Sequence, residues 1–396
     1  MPLLIPAVQR ALQEEGLDAW LLYDFHGSNP IARRLAGLDG PGKMTTRRWY
    51  YVIPATGEPR KLVHAIEAHN LDHLPGSKRI YSQRDTLASG LREVVDGAKR
   101  VAMEYSPGNA IPYISRVDAG TVESIRELGA DVVSSGDLVQ RFEAVWSSDA
   151  LETHRAASDR LYRIKDRAFE LVRQQRRAGR PLTELDVQRA MVGYFKDEGL
   201  IADGAPVVAA QEDAGNPHYM PTADKHRAIQ DGEVVLLDLW GKLPTPGAVF
   251  ADITWVGFTI PSGGDKVPEK YVRAFNAARD ARDAAVDLVK QAVEEKRELR
   301  GYEVDRACRA VIERAGYGNQ FIHRTGHSLG TEVHGNGVHM DDYETHDDRR
   351  LIPGTGFTIE PGVYTPEFGV RTEINMFIGD REATVSGPMQ TEFVLL

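Results

Sequence analysis

Between positions 238 and 373 the chain carries five side chains of metal-ligand type in the order Asp, Asp, His, Glu, Glu, each inside a short apolar or glycine-rich segment. They are Asp238 in VVLLDLWG, Asp252 in FADITW, His327 in HRTGHSLG, Glu360 in TIEPGVY and Glu373 in GVRTEIN. A carboxylate set into an apolar strand loses its hydration, and four of them facing one another repel strongly in a low-dielectric site. Any fold that gathers these segments must place cations between the acids. A pair of hard or borderline divalent ions meets that demand.

Taken singly, each residue is weak evidence, since a strand carboxylate is ordinarily a surface group and a buried histidine is ordinarily a satisfied core group. The joint pattern is what points to a metal centre. His323 and His327 have the i, i+4 spacing of zinc-protease helices, but the glutamate of that motif is missing and Gly326 interrupts any helix.

At 396 residues the chain exceeds what one core usually supports, so two domains are expected. Residues 1–148 read as alternating strands and helices. LDAWLLYDF, WYYVIPATGEP, RKLVHAI and KRVAMEY have strand character, and helical patterning appears near 86–96 and 119–129. At VWSSDALETHRAA, Ser147 or Ser148 caps a helix running to about residue 177, which starts a second domain, 149–396.

The second domain contains an internal repeat. Residues 168–199 laid on 285–316, an offset of 117 without gaps, are identical at Ala168, Leu171, Val172, Gln174, Arg180, Leu182, Val187, Arg189, Ala190 and Gly199. A duplicated helix-helix-strand unit places a site at the junction of its halves. VVLLDLW and VFADITWVGF read as an antiparallel hairpin folding at Thr245, which sets Asp238 and Asp252 opposite one another. Glu360 falls on a strand ended by Pro361 and Gly362. FGVRTEINMFI returns beside it with Arg371 and Glu373 on one face, so the guanidinium adjoins a metal or substrate carboxylate.

Composition narrows the partners. The net charge of −10 offers no basic footprint for nucleic acid. The single cysteine, Cys308, excludes intramolecular disulfides. No run approaches 18 apolar residues and the N-terminal stretch lacks a continuous apolar core, so neither membrane nor export is indicated and a cytoplasmic setting is expected.

The segments GNPHYMP, LLDLWG, ADIT, HRTGHSLGTEVH, TIEPGVY and GVRTEIN resemble the signature of the pita-bread metallopeptidases (family M24B), in the branch of Xaa-Pro dipeptidase (prolidase) and aminopeptidase P. Methionine aminopeptidases share the ligands but lack an N-terminal domain of this kind. The resemblance implies an α+β chain with a C-terminal pita-bread (creatinase/aminopeptidase) fold of pseudo-twofold symmetry, preceded by a smaller α/β creatinase-type domain. It implies that Asp252 and Glu373 bridge two divalent ions, Asp238 completing one site and His327 with Glu360 the other. Mn²⁺ suits this set best, with Co²⁺ or Zn²⁺ as alternatives. A hydroxide bridging the ions would be the nucleophile, Glu360 the general base, and His218, His323 and His334 the groups that bind the scissile carbonyl, the substrate terminus and the oxyanion.

The implied activity is hydrolysis of the Xaa-Pro bond in dipeptides or short peptides, by a homodimer. Aminopeptidase P action on longer peptides is the alternative, and a creatinase-like C–N hydrolase or lyase of the same fold is a further one. Two departures bear on this. Trp255 follows ADIT where the family commonly has arginine, so a supporting ion pair is lost or replaced. Prolidases often grip the dipeptide carboxylate with an arginine in the stretch that here reads HGNGVHMDDYETHDDRR, where Arg349 and Arg350 are the candidates, with His339, Tyr343 and His346 nearby. Arg371 is a second candidate contact.

Overall fold

The computed structural model describes residues 3–40 and 42–396, which form two compact units, Met1–Glu143 and Ala144–Leu396. The first unit holds helices α1 (Ile5–Glu14), α2 (Pro30–Leu35), α3 (Arg84–Val95), α4 (Ala119–Glu127) and α5 (Gly136–Val139). Its strands are β1 (Ala19–Asp24), β2 (Trp49–Pro54), β3 (Arg60–His64), β4 (Ser77–Tyr81), β5 (Arg100–Met103) and β6 (Asp131–Ser134). They make one mixed sheet in the order β4-β3-β2-β1-β5-β6.

Every residue of β1 is buried, because apolar clusters cover both faces: Trp20, Leu22, Trp49 and Tyr51 on one, Leu21, Tyr23, Tyr50 and Val52 on the other. Such a central strand reads as a continuous apolar run rather than an alternating one. The HGSNP loop is a structural turn here. Asn29 accepts Ala32 N–H at 3.0 Å as the cap of α2 and donates to the buried Glu104 at 2.8 Å, while Asp24 accepts the N–H of Asn29 at 2.9 Å.

The second unit is built from two helix pairs. They are α6 (Ser148–Arg177) with α7 (Glu184–Glu198), and α8 (Glu269–Glu294) with α9 (Gly301–Arg314). Ser147 Oγ caps α6 by accepting Ala150 N–H at 3.1 Å. The strands are β7 (Val207–Ala210), β8 (Val234–Gly241), β9 (Ala251–Phe258), β10 (Ser328–Leu329), β11 (Gly356–Ile359), β12 (Gly362–Tyr364), β13 (Gly369–Arg371), β14 (Ile374–Ile378), β15 (Ala383–Ser386) and β16 (Val394–Leu395). They form sheets β16-β9-β8-β7, β10-β11-β14-β15 and the two-stranded β12-β13.

The repeat in sequence is a repeat in structure. The first residues of α7 and α9, Glu184 and Gly301, are 117 positions apart, and so are their caps Thr183 and Arg300. Each cap N–H donates to the carboxylate three residues on, Thr183 to Asp186 at 3.0 Å and Arg300 to Glu303 at 2.8 Å. Just before them, Leu182 C=O accepts Ile229 N–H at 2.9 Å and Leu299 C=O accepts Leu351 N–H at 2.8 Å. The paired glycines Gly199 and Gly316 lie past the two helices at φ 65° and 88°, a left-handed conformation that costs glycine nothing.

Trp146 braces the second half. Its ring stacks on Phe377 at 5.4 Å and its Nε1–H donates to Leu329 C=O at 3.2 Å, while Leu329 and Phe377 are the register partners of Gly356. A Cβ on Gly356 would fall 2.0 Å from the indole. Gly356→Ala is expected to lower unfolding stability by about 1–3 kcal/mol through overpacking, read as a lower urea midpoint at unchanged slope.

Candidate metal centre

β8 and β9 form a continuous hairpin, with Asp238 paired to Thr254 and Asp252 paired to Trp240. Asp238 and Asp252 are therefore diagonal neighbours on one face rather than directly opposed as expected from a turn at Thr245. The hairpin folds one residue later, which shifts the partner by two and leaves both side chains on the same side. The other two carboxylates sit where the strands break. Glu360 and Pro361 separate β11 from β12, and Thr372 and Glu373 separate β13 from β14, so Arg371 and Glu373 do not share a strand face as the sequence suggested.

At the breaks the backbone pairs elsewhere. Glu360 N–H donates to Thr325 C=O at 2.8 Å, and Glu373 N–H donates across to Thr254 C=O on β9 at 3.1 Å. These turns bring the side chains to His327, which enters β10 with its N–H on Thr358 Oγ1 at 2.9 Å. Its Nε2 lies 3.6 Å from Asp252 Oδ2 and 3.5 Å from Glu360 Oε1. Asp252, His327 and Glu373 offer ligand atoms that all lie within 4.8 Å of one another, and all three are buried.

Electrostatics define what this cluster lacks. Burial and the neighbouring carboxylates raise the pKa of Asp252 and Glu373 well above the usual range, and burial brings Glu360 to about 7. Burial holds His327 well below its ordinary value, so the imidazole is neutral, the form that ligates a metal. Asp252 Oδ1 is buried with no hydrogen-bond partner. Three acids converging on a neutral imidazole, with an orphaned carboxylate oxygen among them, fit divalent cations.

Asp238 has a different counterion. Arg371 donates from Nη2 to Asp238, from Nε to Thr254 Oγ1 at 2.9 Å and from Nη1 to Tyr364 Oη at 3.2 Å. Tyr364 Oη also meets His323 Nε2 at 2.7 Å, while His323 Nδ1 meets Arg324 C=O at 2.7 Å. Burial and the Arg371 charge lower the His323 pKa to about 3. Thus Arg371 and His323 both engage protein atoms, in a chain from His323 through Tyr364 and Arg371 to Asp238.

His334 is exposed, with its ring edge-on to His327 at 4.4 Å. His218 lies exposed in the turn after residues 213–215. That turn is held by its neighbour Tyr219, whose hydroxyl donates at 2.5 Å to the buried Glu184, which also accepts Ala210 N–H at 2.7 Å.

Arg349 does not face the metal ligands. It is 3% exposed, bonded to Asp347, to Asn336 C=O and to Gly337 C=O, the last two both at 2.7 Å. It braces the loop that carries His334. His346 pairs with Asp342 and stacks on Tyr302, and Tyr343 lies under the Arg309 guanidinium. Trp255 carries Lys165 Nζ 3.8 Å above its ring, with Tyr162 edge-on, so this side chain makes a cation–π contact and no ion pair.

Sequence reasoning missed Thr254, Thr358, Tyr364 and Asn375. Thr254 Oγ1 donates to Glu373 at 2.7 Å, Thr358 Oγ1 to Glu360 at 3.1 Å, and Asn375 Oδ1 accepts Asp252 N–H at 2.9 Å. Thr254, Thr358 and Asn375 each stand two residues from a candidate ligand in the strand-type segments, and that even spacing was the available signal.

A family profile described as metallopeptidase family M24 matches residues 152–380. An Xaa-Pro dipeptidase of Lactobacillus helveticus is 36% identical over 168 residues, 42% of this chain and 40% of that protein. The chain spans about 40% of the length of the first curated relatives it matches. Among solved structures, dipeptidase PepE from Mycobacterium ulcerans aligns over 99% of this chain and 96% of its own at TM-score 0.69 and 21% identity. A prolidase from Thermococcus sibiricus aligns over 99% and 98% at TM-score 0.64 and 21% identity. Both share the fold across both units.

Two outcomes follow from the geometry. A Cβ on Gly326 would lie 2.0 Å from Thr358 C=O, so Gly326→Ala must displace His327 and is expected to weaken metal affinity at least about tenfold by calorimetric titration. In metal-free protein the raised carboxyl pKa values mean that the folded state binds more protons than the unfolded chain. That contribution to stability is fully present below about pH 4.5 and lost as pH rises through about 7. The rise in Tm on adding Mn²⁺ should therefore be larger at pH 8 than at pH 5.5; an equal or smaller rise at pH 8 refutes the repulsive cluster.

Proposed function

The chain belongs to metallopeptidase family M24, and from that premise we propose that it is a dinuclear-metal Xaa-Pro dipeptidase. The observation that carries this is the meeting of Asp252, His327 and Glu373 within 4.8 Å, with Glu360 on the same imidazole nitrogen. Asp238, Asp252, His327, Glu360 and Glu373 would hold the ions, which would supply Lewis acidity and lower the pKa of water, and the oxygen-rich set favours Mn²⁺. Proline calls for a dedicated enzyme because its amide nitrogen carries no hydrogen and its ring fixes φ.

The side chains divide the remaining work. Glu360 is less buried than Asp252 and Glu373 and is steadied by Thr358, which suits it to take the proton of the attacking water and return it to the departing proline nitrogen. His334, open to solvent beside His327, is assigned the oxyanion, and His218, exposed in the turn after residues 213–215, is assigned a contact to the substrate. Arg371 fixes Asp238, and His323 fixes Tyr364, which holds Arg371. Proline-containing dipeptides or short peptides are the substrates, and a cytosolic homodimer is the assembly, read by sedimentation velocity.

Aminopeptidase P activity is a second reading, favoured by the engagement of Arg349 with Asp347, Asn336 and Gly337, which removes that guanidinium from any free substrate carboxylate. Chelator-stripped protein assayed with and without Mn²⁺ on Met-Pro, a tripeptide with proline second and Met-Ala distinguishes them. Metal-dependent cleavage of Met-Pro alone is expected. Cleavage of the tripeptide assigns aminopeptidase P, and no cleavage of any of the three turns to the non-peptidase C–N hydrolases and lyases of the fold. Glu360→Gln should cut kcat/KM by about 10²–10⁴ with the fold retained, and normal turnover by that variant overturns the mechanism.

A further inference from the structure

Trp240 lies two residues beyond Asp238 on β8, hence on the same face of the strand, and its register partner across the hairpin is Asp252. Directly opposed residues hold their Cβ atoms about 4.5–5.5 Å apart. The indole therefore rises from the sheet beside two metal ligands. Asp238 and Trp240 are also the two positions of this eight-residue strand that are not buried, so the sheet opens outward at this point.

The ring is fixed in place. Its Nε1–H donates to Asp203 Oδ1 at 2.6 Å, and Gly204 lies so close beneath it that a Cβ there would sit 3.0 Å from the ring. It packs on an apolar group that includes Leu329 and Val333, the latter adjacent to His334. No hydrogen bond joins it to the ligands, and none of the steps assigned above uses it. An indole with its N–H satisfied, its edge pinned and part of its surface open presents a rigid apolar plate to whatever occupies the metal face.

We propose that Trp240 walls the subsite for the side chain preceding proline and selects apolar side chains there, with Asp203 as its positioning residue; this rests on the Xaa-Pro reading. The proline ring is constant and suits a closed fit, whereas a half-open wall accommodates side chains of varied length. Covering a leucine-sized side chain is worth roughly 1.5–3 kcal/mol, which corresponds to a discrimination of about 10–150-fold.

The test compares kcat/KM for Leu-Pro, Gly-Pro and Leu-Ala in the Mn²⁺-loaded full chain and in Trp240→Ala, Trp240→Phe and Asp203→Asn. The Leu-Pro to Gly-Pro ratio is expected to fall at least about tenfold in Trp240→Ala, to recover in large part in Trp240→Phe, and to fall by a smaller factor, carried in KM, in the exposed-site variant Asp203→Asn. Bound Mn²⁺ should be equal in all four proteins. If Trp240→Ala does not fold, the Trp240→Phe and Asp203→Asn ratios decide. An unchanged ratio across the folded variants overturns the assignment, as does a collapse of the Leu-Pro to Leu-Ala ratio, which would give the wall to proline instead. Wild-type protein that cleaves neither Xaa-Pro dipeptide overturns the dipeptidase reading, and this inference with it.

Discussion

Mutual repulsion among four inward-facing carboxylates is the constraint to which the second unit is built. Two like charges 4 Å apart repel by about 4 kcal/mol at an effective dielectric near 20, whereas a hydrogen bond to a charged group contributes about 1.5–3 kcal/mol. Thr254 reaches Glu373, Thr358 reaches Glu360 and Arg371 reaches Asp238, but Asp252 keeps an unpartnered oxygen. The two threonine bonds orient Glu373 and Glu360 without neutralising them, and the Arg371 charge offsets that of Asp238. Proton uptake or cation binding must do the rest, and the neutral His327 imidazole among the acids selects for the cation.

A strong scaffold is needed to hold such a cluster, and duplication supplies it twice. The helical portions of the two halves correspond at an offset of 117, while the β portions correspond at 122, as the matching bridges Thr183 to Ala228 and Arg300 to Arg350 require. Asp238 and Glu360 are also 122 apart, and Asp252 and Glu373 differ by 121. The four acids are thus two copies of one pair of positions. Each copy is anchored by a capped helix whose preceding residue is stitched to a following β segment.

Much of this was legible in sequence because it is local or periodic. The ligand segments, the helix starting after Ser147, the gapless repeat and the glycines past α7 and α9 all follow from patterning and backbone preference. What was hidden depends on distant partners. Hairpin register turned on where GKLPTPGA folds, and one residue there moved the partner of Asp238 from Asp252 to Thr254. Arg349 reads as a free cation until Asp347, Asn336 and Gly337 are seen to surround it. Tyr364 reads as a core aromatic until Arg371 and His323 meet its hydroxyl.

The difference between the two halves explains where the centre lies. In the first half both ligands ride on continuous strands, β8 and β9, whose backbones pair with each other throughout. In the second half both carboxylates occupy breaks, and a residue at a break has a backbone donor to spend outside its own ladder. Glu373 directs its N–H to Thr254 of the first half, and the Thr254 hydroxyl returns to the Glu373 carboxylate. Asn375 adds a third link by receiving Asp252 N–H. The two copies are therefore joined at the acids themselves, so cations bound between the acids would also tighten the junction of the halves.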